Sequence, residues 1–343
     1  MMFIRNQNII QDLFHHYQIQ PAELLSVQSY YMFWQRNRVY FLVPIGNLKE
    51  DDLQEMKRLS DFMSATGDQT VATFVQNVQG YYVSKIGGSN YSLFKSFRQS
   101  ERSTSTSFGE ELAVFHLRGK KYSEDLKQLK RIGQWKSLWE KRLEQLERFW
   151  QKKVNSHPEN YFEQIFIESF PYYLGMTENA IQYVVDTELD DTPQIVDSAT
   201  ICHQKMAERK MKEIHFAKIP TEWIYDHPSR DLAEWVRDEY LENSSGNYRK
   251  KILSFLYSYE KKSPLSTFSW RLLYARLLFP VHYFETIEGY YLSKTDADRK
   301  RHERKLVTYL ETTSEFESFL GNFYEMIGLP IVKLGIREIN WLK

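Results

Sequence analysis

Cysteine is almost absent from this chain of 343 residues, which carries Cys202 and no other. A lone cysteine excludes an intrachain disulfide and the thiolate clusters of structural zinc sites, and it is typical of proteins that fold in a reducing compartment. Glycine is scarce as well, with 14 residues, so the chain has few flexible loops of the kind that bind phosphate groups. Because the histidines also lack the spacing of a zinc site, we expect neither a metal nor a cofactor.

A net charge and a long hydrophobic run are also missing. Lys and Arg together number 45, as do Asp and Glu, so no overall field favours nucleic acid or an anionic membrane. The best membrane candidate, residues 272–284, is too short to span a bilayer and contains Arg276 and Pro280. We expect no signal peptide in the first residues, because they run to Asp12 without a long apolar core. We therefore expect no nucleic-acid partner and no membrane partner, and the balanced charge suits a protein that ends in an assembly.

Aromatic residues are abundant, with 23 Tyr and 22 Phe, and many of them mark predicted strands in the first hundred residues. In the same region Leu53, Met56, Leu59, Phe62 and Met63 recur at three- and four-residue spacing, which predicts one face of a helix. The elements predicted here are helix 9–17, strands 23–27, 30–34 and 38–43, helix 49–65, and strands 70–77 and 80–86, closed by the two glycines 87–88.

A polar stretch, residues 99–107, is the best linker in the sequence. Helical periodicity dominates after it, in segments 112–117, 135–152, 161–174, 233–241, 248–259, 268–278 and 303–327. Chains longer than roughly 250 to 300 residues tend to split into domains. We therefore predict a small mixed α/β lobe at 1–95, a linker at 96–108 and a large helical lobe at 109–343.

Residues 201–210 are the most informative part of the chain. They are similar to the catalytic loop of small-molecule kinases, H-x-D-x-x-x-x-N, with His203 at the first position. Lys205 stands where these kinases have the Asp that accepts the proton of the substrate hydroxyl, and Lys210 stands where they have an Asn that helps to hold magnesium. An ammonium group has no lone pair for either task. Both positions are therefore degenerate.

Other segments extend this resemblance. Residues 109–116 are similar to the G-x-x-L-A-x-x-H helix of the aminoglycoside phosphotransferase-like and protein-kinase-like fold, and residues 230–232 match its R-D-L signature. Four further segments, 169–175, 178–183, 201–204 and 225–235, carry a more specific likeness. On these residues the chain most resembles, within that superfamily, the CotS-like group of bacterial endospore coat proteins. The resemblance implies an α+β, two-lobed kinase-like fold with a small β-rich N-lobe and a larger, mostly helical C-lobe, and a place in the spore coat, assembled from the mother-cell cytoplasm.

Three further groups that this resemblance requires are missing. By the family's spacing the metal-binding Asp belongs in residues 219–222, where only Glu222 offers a carboxylate. Asp226 is the rival ligand, but it lies five residues before Asp231. The ATP-positioning lysine is expected at the end of the strand 38–43, which contains none, and the turn 35–37 has no glycine to let the backbone approach phosphate. Glu222 and Asp226 are therefore only weak metal candidates.

Three retained residues of the motifs are assigned structural roles. Asp231 at a helix start is expected to accept backbone N–H groups. Arg230 is expected to be an ion-pair or packing partner. His203 is expected to be a hydrogen-bonded structural histidine, since the motif supplies no carboxylate partner for a general base.

These observations predict a catalytically inactive kinase-like protein that acts as a structural or scaffolding component of the spore coat, with other coat proteins as partners. Two alternatives are open. The first is a small-molecule kinase whose catalytic groups have been relocated, with Glu222 or Asp226 on the metal. The second is a regulatory pseudokinase that binds nucleotide or another anion through Lys205 and Lys210 without turnover.

Overall fold

The computed structural model describes residues 2–4, 6–27, 30–97, 107–205, 217–243 and 246–342. The chain divides into two units, Met1–Lys130 with Ala199–Asp226, and Arg131–Ser198 with His227–Lys343. The first unit is built around a β-sheet and the second from helices, as the predicted α+β class requires. The lobe boundary stays a prediction, because residues 98–106, most of the expected linker, lie outside the described residues.

An antiparallel sheet forms the centre of the first unit. Among the described residues its strands lie in the order β1-β2-β3-β4-β7-β5, and β6 pairs with the first residues of β7. The strands are β1 (Met2–Ile4), β2 (Leu24–Val27), β3 (Tyr30–Gln35), β4 (Arg38–Pro44), β5 (Thr73–Val75), β6 (Ser84–Ile86) and β7 (Ser89–Phe97).

Two helices of the first unit bury the faces that their sequences predict. Helix α1 (Gln7–Tyr17) places Ile9 and Leu13 in one hydrophobic cluster with strand residues such as Phe33 and Leu42. Helix α2 (Glu50–Ala65) begins with three acidic residues, which favour the positive end of the helix dipole. Its predicted stripe is buried at four of the five positions, and Phe62 instead lies edge-on to Tyr122.

The longest strand of the sheet, β7, is missing from the predicted elements. Gly87 and Gly88 do not close the lobe; they adopt positive φ angles of 56° and 84° in the turn from β6 into β7. Leu93 and Phe94, neighbours on β7, are both fully buried. A strand buried on both faces loses the alternation of apolar and polar residues by which a strand is recognised.

Helix α3 (Phe108–Gly119) and a hairpin of two short strands, β8 (Thr200–His203) and β9 (Trp223–Asp226), complete the first unit. The last turn of α3 lies directly against β8. A Cβ atom at Gly119 would collide with the Thr200 hydroxyl and would lie 2.8 Å from the Ile201 nitrogen. The Thr200 hydroxyl also donates to the His116 carbonyl at 2.7 Å. This close approach fixes the hairpin on α3.

The second unit consists of helices that mostly match the predicted segments. The segment 303–327, expected as one helix, is divided at Thr312 and Asn322, where the backbone leaves the helical conformation (φ −108°, ψ 19° and φ −98°, ψ 6°). The helices are α4 (Trp135–Ser156), α5 (Tyr161–Asp190), α6 (Ser229–Asn243), α7 (Tyr248–Glu260), α8 (Thr267–Leu278), α9 (Val281–Leu292), α10 (Asp296–Glu311), α11 (Thr313–Gly321), α12 (Phe323–Met326) and α13 (Ile331–Leu334).

The apolar stretch 272–284 belongs to two of these helices. Helix α8 ends at Leu278, and α9 starts after Pro280. In the part of the chain that the structure describes, we find no helix with both the length and the apolar character needed to cross a membrane.

Helix α5 runs through a proline and is twice as long as its predicted segment. Pro171 has no N–H, so the carbonyl of Ile167, four residues earlier, loses its helical partner. The indole N–H of Trp150 on α4 donates to that carbonyl at 3.0 Å. The packing of α4 against α5 therefore replaces the hydrogen bond that the proline removes, and the helix continues to Asp190.

Candidate functional site

The candidate site is built on the hairpin of β8 and β9. The strands are antiparallel, with Thr200 opposite Asp226 and His203 opposite Trp223. The pairing continues past His203, because the N–H of Gln204 donates to the Glu222 carbonyl at 2.7 Å. We call the segment of Gln204, Lys205 and Glu222 the hairpin end.

Lys205, at the position of the kinase base, directly follows Gln204, and its side chain is exposed to solvent. A lysine ammonium group offers hydrogen-bond donors only, so it attracts anions but accepts no proton. Lys210, at the position of the kinase Asn, lies outside the described residues.

Of the two weak metal candidates, Asp226 is the last residue of β9 and Glu222 immediately precedes its first residue. Four residues separate them and a strand rises about 3.3 Å per residue, so they are on the order of 13 Å apart along the strand. Glu222 is exposed, whereas Asp226 is fully buried. Neither belongs to a group of three or more described His, Cys, Asp or Glu side chains close enough to share an ion. The two carboxylates therefore do not form a joint magnesium site.

His203 is buried in a cluster of aromatic rings. Its ring centroid lies 5.2 Å from that of Phe115, which in turn lies 5.7 Å from that of Trp223. Cys202 points to the other face of the strand and is fully buried too. These surroundings fit the structural role predicted for His203, which stays a prediction.

Arg230 and Asp231 lie in the first turn of α6, in the second unit. Asp231 is fully buried at a position where a carboxylate favours the helix dipole. Burial alone would raise the pKa of Glu234, one turn further on, but the charges of Arg276, Arg237 and Arg230 lower it below its usual range. Glu234 forms ion pairs with Arg276 and Arg237, and Arg230 adds to the positive charge around it, so the ion-pair or packing role of Arg230 stays a prediction.

A buried network around Asp197 in the second unit is absent from the sequence predictions. The Asp197 carboxylate accepts hydrogen bonds from the hydroxyls of Ser266 and Ser269 and from the N–H of Gln194, and the His227 Nε2 lies 3.6 Å away. Burial raises the pKa of Asp197, but these donors together lower it far below its usual range. The helix-start pattern Ser-x-x-Ser could have indicated Ser266, whereas no local signal indicates Asp197.

The residues just before Glu222 are held by a second buried network, in the first unit. The Lys218 ammonium nitrogen lies 2.6 Å from the Asp68 carboxylate and 5.0 Å from the Phe115 ring centre. Arg118 lies 3.2 Å from the same carboxylate, and Thr70 donates to it. Burial raises the pKa of Asp68, but Lys218 and Thr70 lower it below its usual range. Lys218 is thus a counter-ion of Asp68 in the interior.

Glu55 is the buried carboxylate of α2, and it binds backbone. It accepts the N–H groups of Lys127, Gln128 and Leu129 at 2.7 to 3.1 Å. A carboxylate that receives successive backbone N–H groups is bound as an anion in a nest. Glu55 therefore ties α2 to the segment that follows α3.

The arrangement of the first unit limits what chemistry the hairpin end performs. It presents an ammonium group at Lys205 and a carboxylate at Glu222, both exposed. Phosphoryl transfer needs a positioned base and a metal held close to it. In the described part of this unit, Lys205 is suited to attract an anion, and the buried carboxylates of Asp68 and Glu55 are already bound.

Solved structures with the same fold are small-molecule kinases. An aminoglycoside phosphotransferase from Alicyclobacillus acidocaldarius matches with a TM-score of 0.63 at 12% identity, covering 94% of this chain and 96% of that one. The AMP-bound spectinomycin phosphotransferase matches at 0.59 with 15% identity, covering 90% and 96%. At such identities the likeness shows the fold alone. The protein has the two-part kinase-like fold of the aminoglycoside phosphotransferases, as the sequence predicts.

Sequence relatives identify the family of this chain among proteins with the kinase-like fold. The chain belongs to the family described as "Spore coat putative kinase YutH", whose model matches residues 10–323. The endospore coat-associated protein YutH of Bacillus subtilis is 41% identical over 327 residues, covering 95% of this chain and 96% of that protein. Spore coat protein S of the same organism is 27% identical over 221 residues, covering 62% of each. The resemblance to the coat proteins is therefore confirmed.

Proposed function

We propose that this protein is a catalytically inactive, kinase-like structural protein of the bacterial endospore coat. It is made in the mother-cell cytoplasm and acts as a scaffold that binds other coat proteins. Two relatives named for the coat support the location. In this proposal the kinase-like fold provides a stable surface for binding and does not catalyse phosphate transfer.

One observation carries the proposal. The residue that follows β8 at the position of the proton-accepting Asp is Lys205, an exposed lysine. Loss of a positioned base costs about 10²- to 10⁴-fold in rate. The separation of Glu222 from Asp226 adds a second defect, because a single exposed carboxylate is a poor site for magnesium.

Phosphate transfer tests the proposal directly. Purified protein is incubated with magnesium-ATP and a panel of aminoglycosides, amino alcohols and choline, with an active aminoglycoside phosphotransferase as positive control. We expect no phosphorylated product above the buffer background. Turnover that requires magnesium and is lost in Glu222→Gln or Asp226→Asn would instead establish the small-molecule kinase with relocated groups.

Nucleotide binding separates a scaffold from a regulatory pseudokinase. A ligand that binds only the folded state raises the melting temperature. We expect no shift with ATP, ADP or inorganic phosphate, with or without magnesium. A saturable shift without turnover that disappears in the Lys205→Ala and Lys210→Ala variants would replace the scaffold by an anion-binding pseudokinase.

A further inference from the structure

A groove in the second unit has no residue of the kinase motifs among those that line it. It has a volume of about 680 Å³ and is lined by residues of α6, α7, α11 and α12. Binding pockets for ligands typically have volumes of about 300 to 1,000 Å³. Tyr240, on its floor, follows Asp231 by nine residues on α6, so the groove lies on the order of 13 Å along that helix from the motif.

The floor of the groove is aromatic. The ring of Tyr240 stacks on Phe319 at 4.2 Å between centroids and meets Tyr248 edge-on at 5.0 Å. Tyr248 also lies 5.9 Å from Phe319. Tyr240 and Phe319 are buried, whereas Tyr248 is partly exposed. The accessible aromatic surface is therefore mainly that of Tyr248, and an aromatic ring face attracts cations.

The walls of the groove carry opposite charges. Helix α7 contributes Arg249 in its first turn, which has no acidic residue, and its cap residue Asn247 makes no side-chain hydrogen bond to the helix. The N-terminal dipole adds to the positive charge of this wall. The facing elements α11 and α12 contribute Glu315 and Glu325. One wall is therefore basic and the other acidic.

These three charges are uncommitted, unlike their neighbours on the same helices. In the part of the chain that the structure describes, Arg249, Glu315 and Glu325 form no hydrogen bond or ion pair through their side chains. By contrast, Lys251 on α7 lies 2.8 Å from Glu239, and Glu317 on α11 accepts the Tyr172 hydroxyl at 2.7 Å. Neither Lys251 nor Glu317 lines the groove.

The negative charge of Glu315 on the acidic wall affects Tyr240 on the floor of the groove. Burial raises the pKa of Tyr240 to about 12, and the nearby Tyr248 and Glu315 contribute to the increase. A cation above the floor would be attracted by Glu315 and by the partly exposed ring of Tyr248 together.

We propose that this groove binds a short segment of another protein that carries a lysine or arginine close to an aspartate or glutamate. The basic side chain lies over the aromatic floor toward Glu315 and Glu325, and the acidic one lies toward Arg249 and the start of α7. The proposal rests on the scaffold function in one respect: that function is the reason for choosing a segment of another protein as the occupant. Opposite charges on two walls select a segment of mixed charge over one of a single charge.

Labelled hexapeptides test the groove. Fluorescence anisotropy of an alternating Lys-Glu peptide is compared with that of all-Lys and all-Glu peptides, using the full chain. We expect the alternating peptide to bind at least fivefold more tightly than either of the others, and binding to weaken as salt is added. Equal binding of the three peptides, or no binding of any, would overturn the proposal.

Variants locate the binding. The pair Glu315→Gln and Glu325→Gln is expected to weaken binding of the alternating peptide about tenfold, and Glu311→Gln, an exposed glutamate of α10 outside the groove, to leave it unchanged. Hydrogen exchange should slow in residues 314–326 when the peptide is bound. A loss of binding in Glu311→Gln equal to that in the double variant contradicts the assignment. Because no step involves nucleotide or the hairpin end, failure here leaves the phosphate-transfer test of the scaffold function unaffected.

Discussion

Two sets of polar side chains in the first unit differ in how the fold holds them. At the hairpin end, Lys205 and Glu222 are exposed to solvent. In the interior, Asp68 binds Lys218, and Glu55 receives three successive backbone N–H groups. Lys205, at the base position, and Glu222 are thus at the surface, while Asp68, Lys218 and Glu55 support the fold from the interior. The difference predicts that substitutions at the two sets have very different costs.

The largest effect is expected at Asp68. The Asp68→Ala substitution leaves Lys218, whose side chain is 13% exposed, without its counter-ion. Removal of one partner of a buried ion pair costs about 3–5 kcal/mol. Urea unfolding measures this loss as a decrease in the free energy of unfolding. The matched control is Asp61→Ala, which breaks the exposed Lys57–Asp61 pair and should cost no more than about 1 kcal/mol. Equal losses in the two variants would remove the contrast between interior and surface.

A smaller loss is expected at Glu55. In Glu55→Gln the side chain keeps its shape but loses its charge, and one of its oxygens becomes an amide donor that faces N–H groups. Each hydrogen bond to a charged group contributes about 1.5–3 kcal/mol, so we expect a loss of that order in the free energy of unfolding. Hydrogen exchange of the Lys127, Gln128 and Leu129 amides should accelerate in the variant. Unchanged exchange would show that these amides do not depend on the carboxylate.

Asp238, in the second unit, contrasts with the bound carboxylates of Asp68 and Glu55, because its carboxyl group accepts no hydrogen bond from the described residues. Burial, followed by the charge of Glu234, raises its pKa from 3.8 to about 7. The folded protein therefore holds this proton up to about pH 7, whereas the unfolded chain releases it near pH 3.8. Its contribution to stability is present at low pH and is lost as the pH rises through 7.

The Asp238→Asn substitution should remove this pH dependence. At pH 8 we expect the variant to be more stable than the parent by about 1–3 kcal/mol, and at pH 4 the two should be equal. Urea unfolding at both pH values measures the difference. A variant that is less stable at pH 8 would show that the ionised carboxylate stabilises the fold.

The smallest effect is expected at the hairpin end. Because Lys205 is exposed, Lys205→Ala should change the free energy of unfolding by no more than about 0.5 kcal/mol. Lys218→Ala, the same change 13 positions later, should destabilise the protein strongly because it removes the buried counter-ion of Asp68 and leaves only Arg118 beside that carboxylate. A loss above 1.5 kcal/mol for Lys205→Ala would place that lysine among the residues that hold the fold.

The predictable part of the fold is the part with local signals. Spacing of Leu53, Met56, Leu59 and Met63 predicts α2, and the turn at 35–37 predicts the β3–β4 hairpin. The strand β7 gave no such signal because its centre is buried on both faces. The helical pattern at 161–174 already includes Pro171 but stops short of Asp190. The donor that satisfies the Ile167 carbonyl, Trp150, belongs to another helix, so no local pattern indicates it.

The sequence motif identified the candidate site, but no sequence pattern identified the buried residues that support it. The resemblance of residues 201–210 to a kinase loop identified Lys205 directly. By contrast, Lys218 and Asp68 are 150 positions apart in sequence, and Glu55 meets residues more than 70 positions away. Pairings at that distance depend on the packing of whole elements, so they leave no pattern in a short window of sequence.

The hydrogen bond from Trp150 to the Ile167 carbonyl also has a consequence for the order of folding. A helix that contains Pro171 is weak at that point until α4 supplies its indole donor, so we expect the half of α5 beyond Pro171 to become protected only after the two helices have docked. Pro171 would then make formation of the second half of α5 depend on its contact with α4, so that this long helix is not complete before α4 has packed against it.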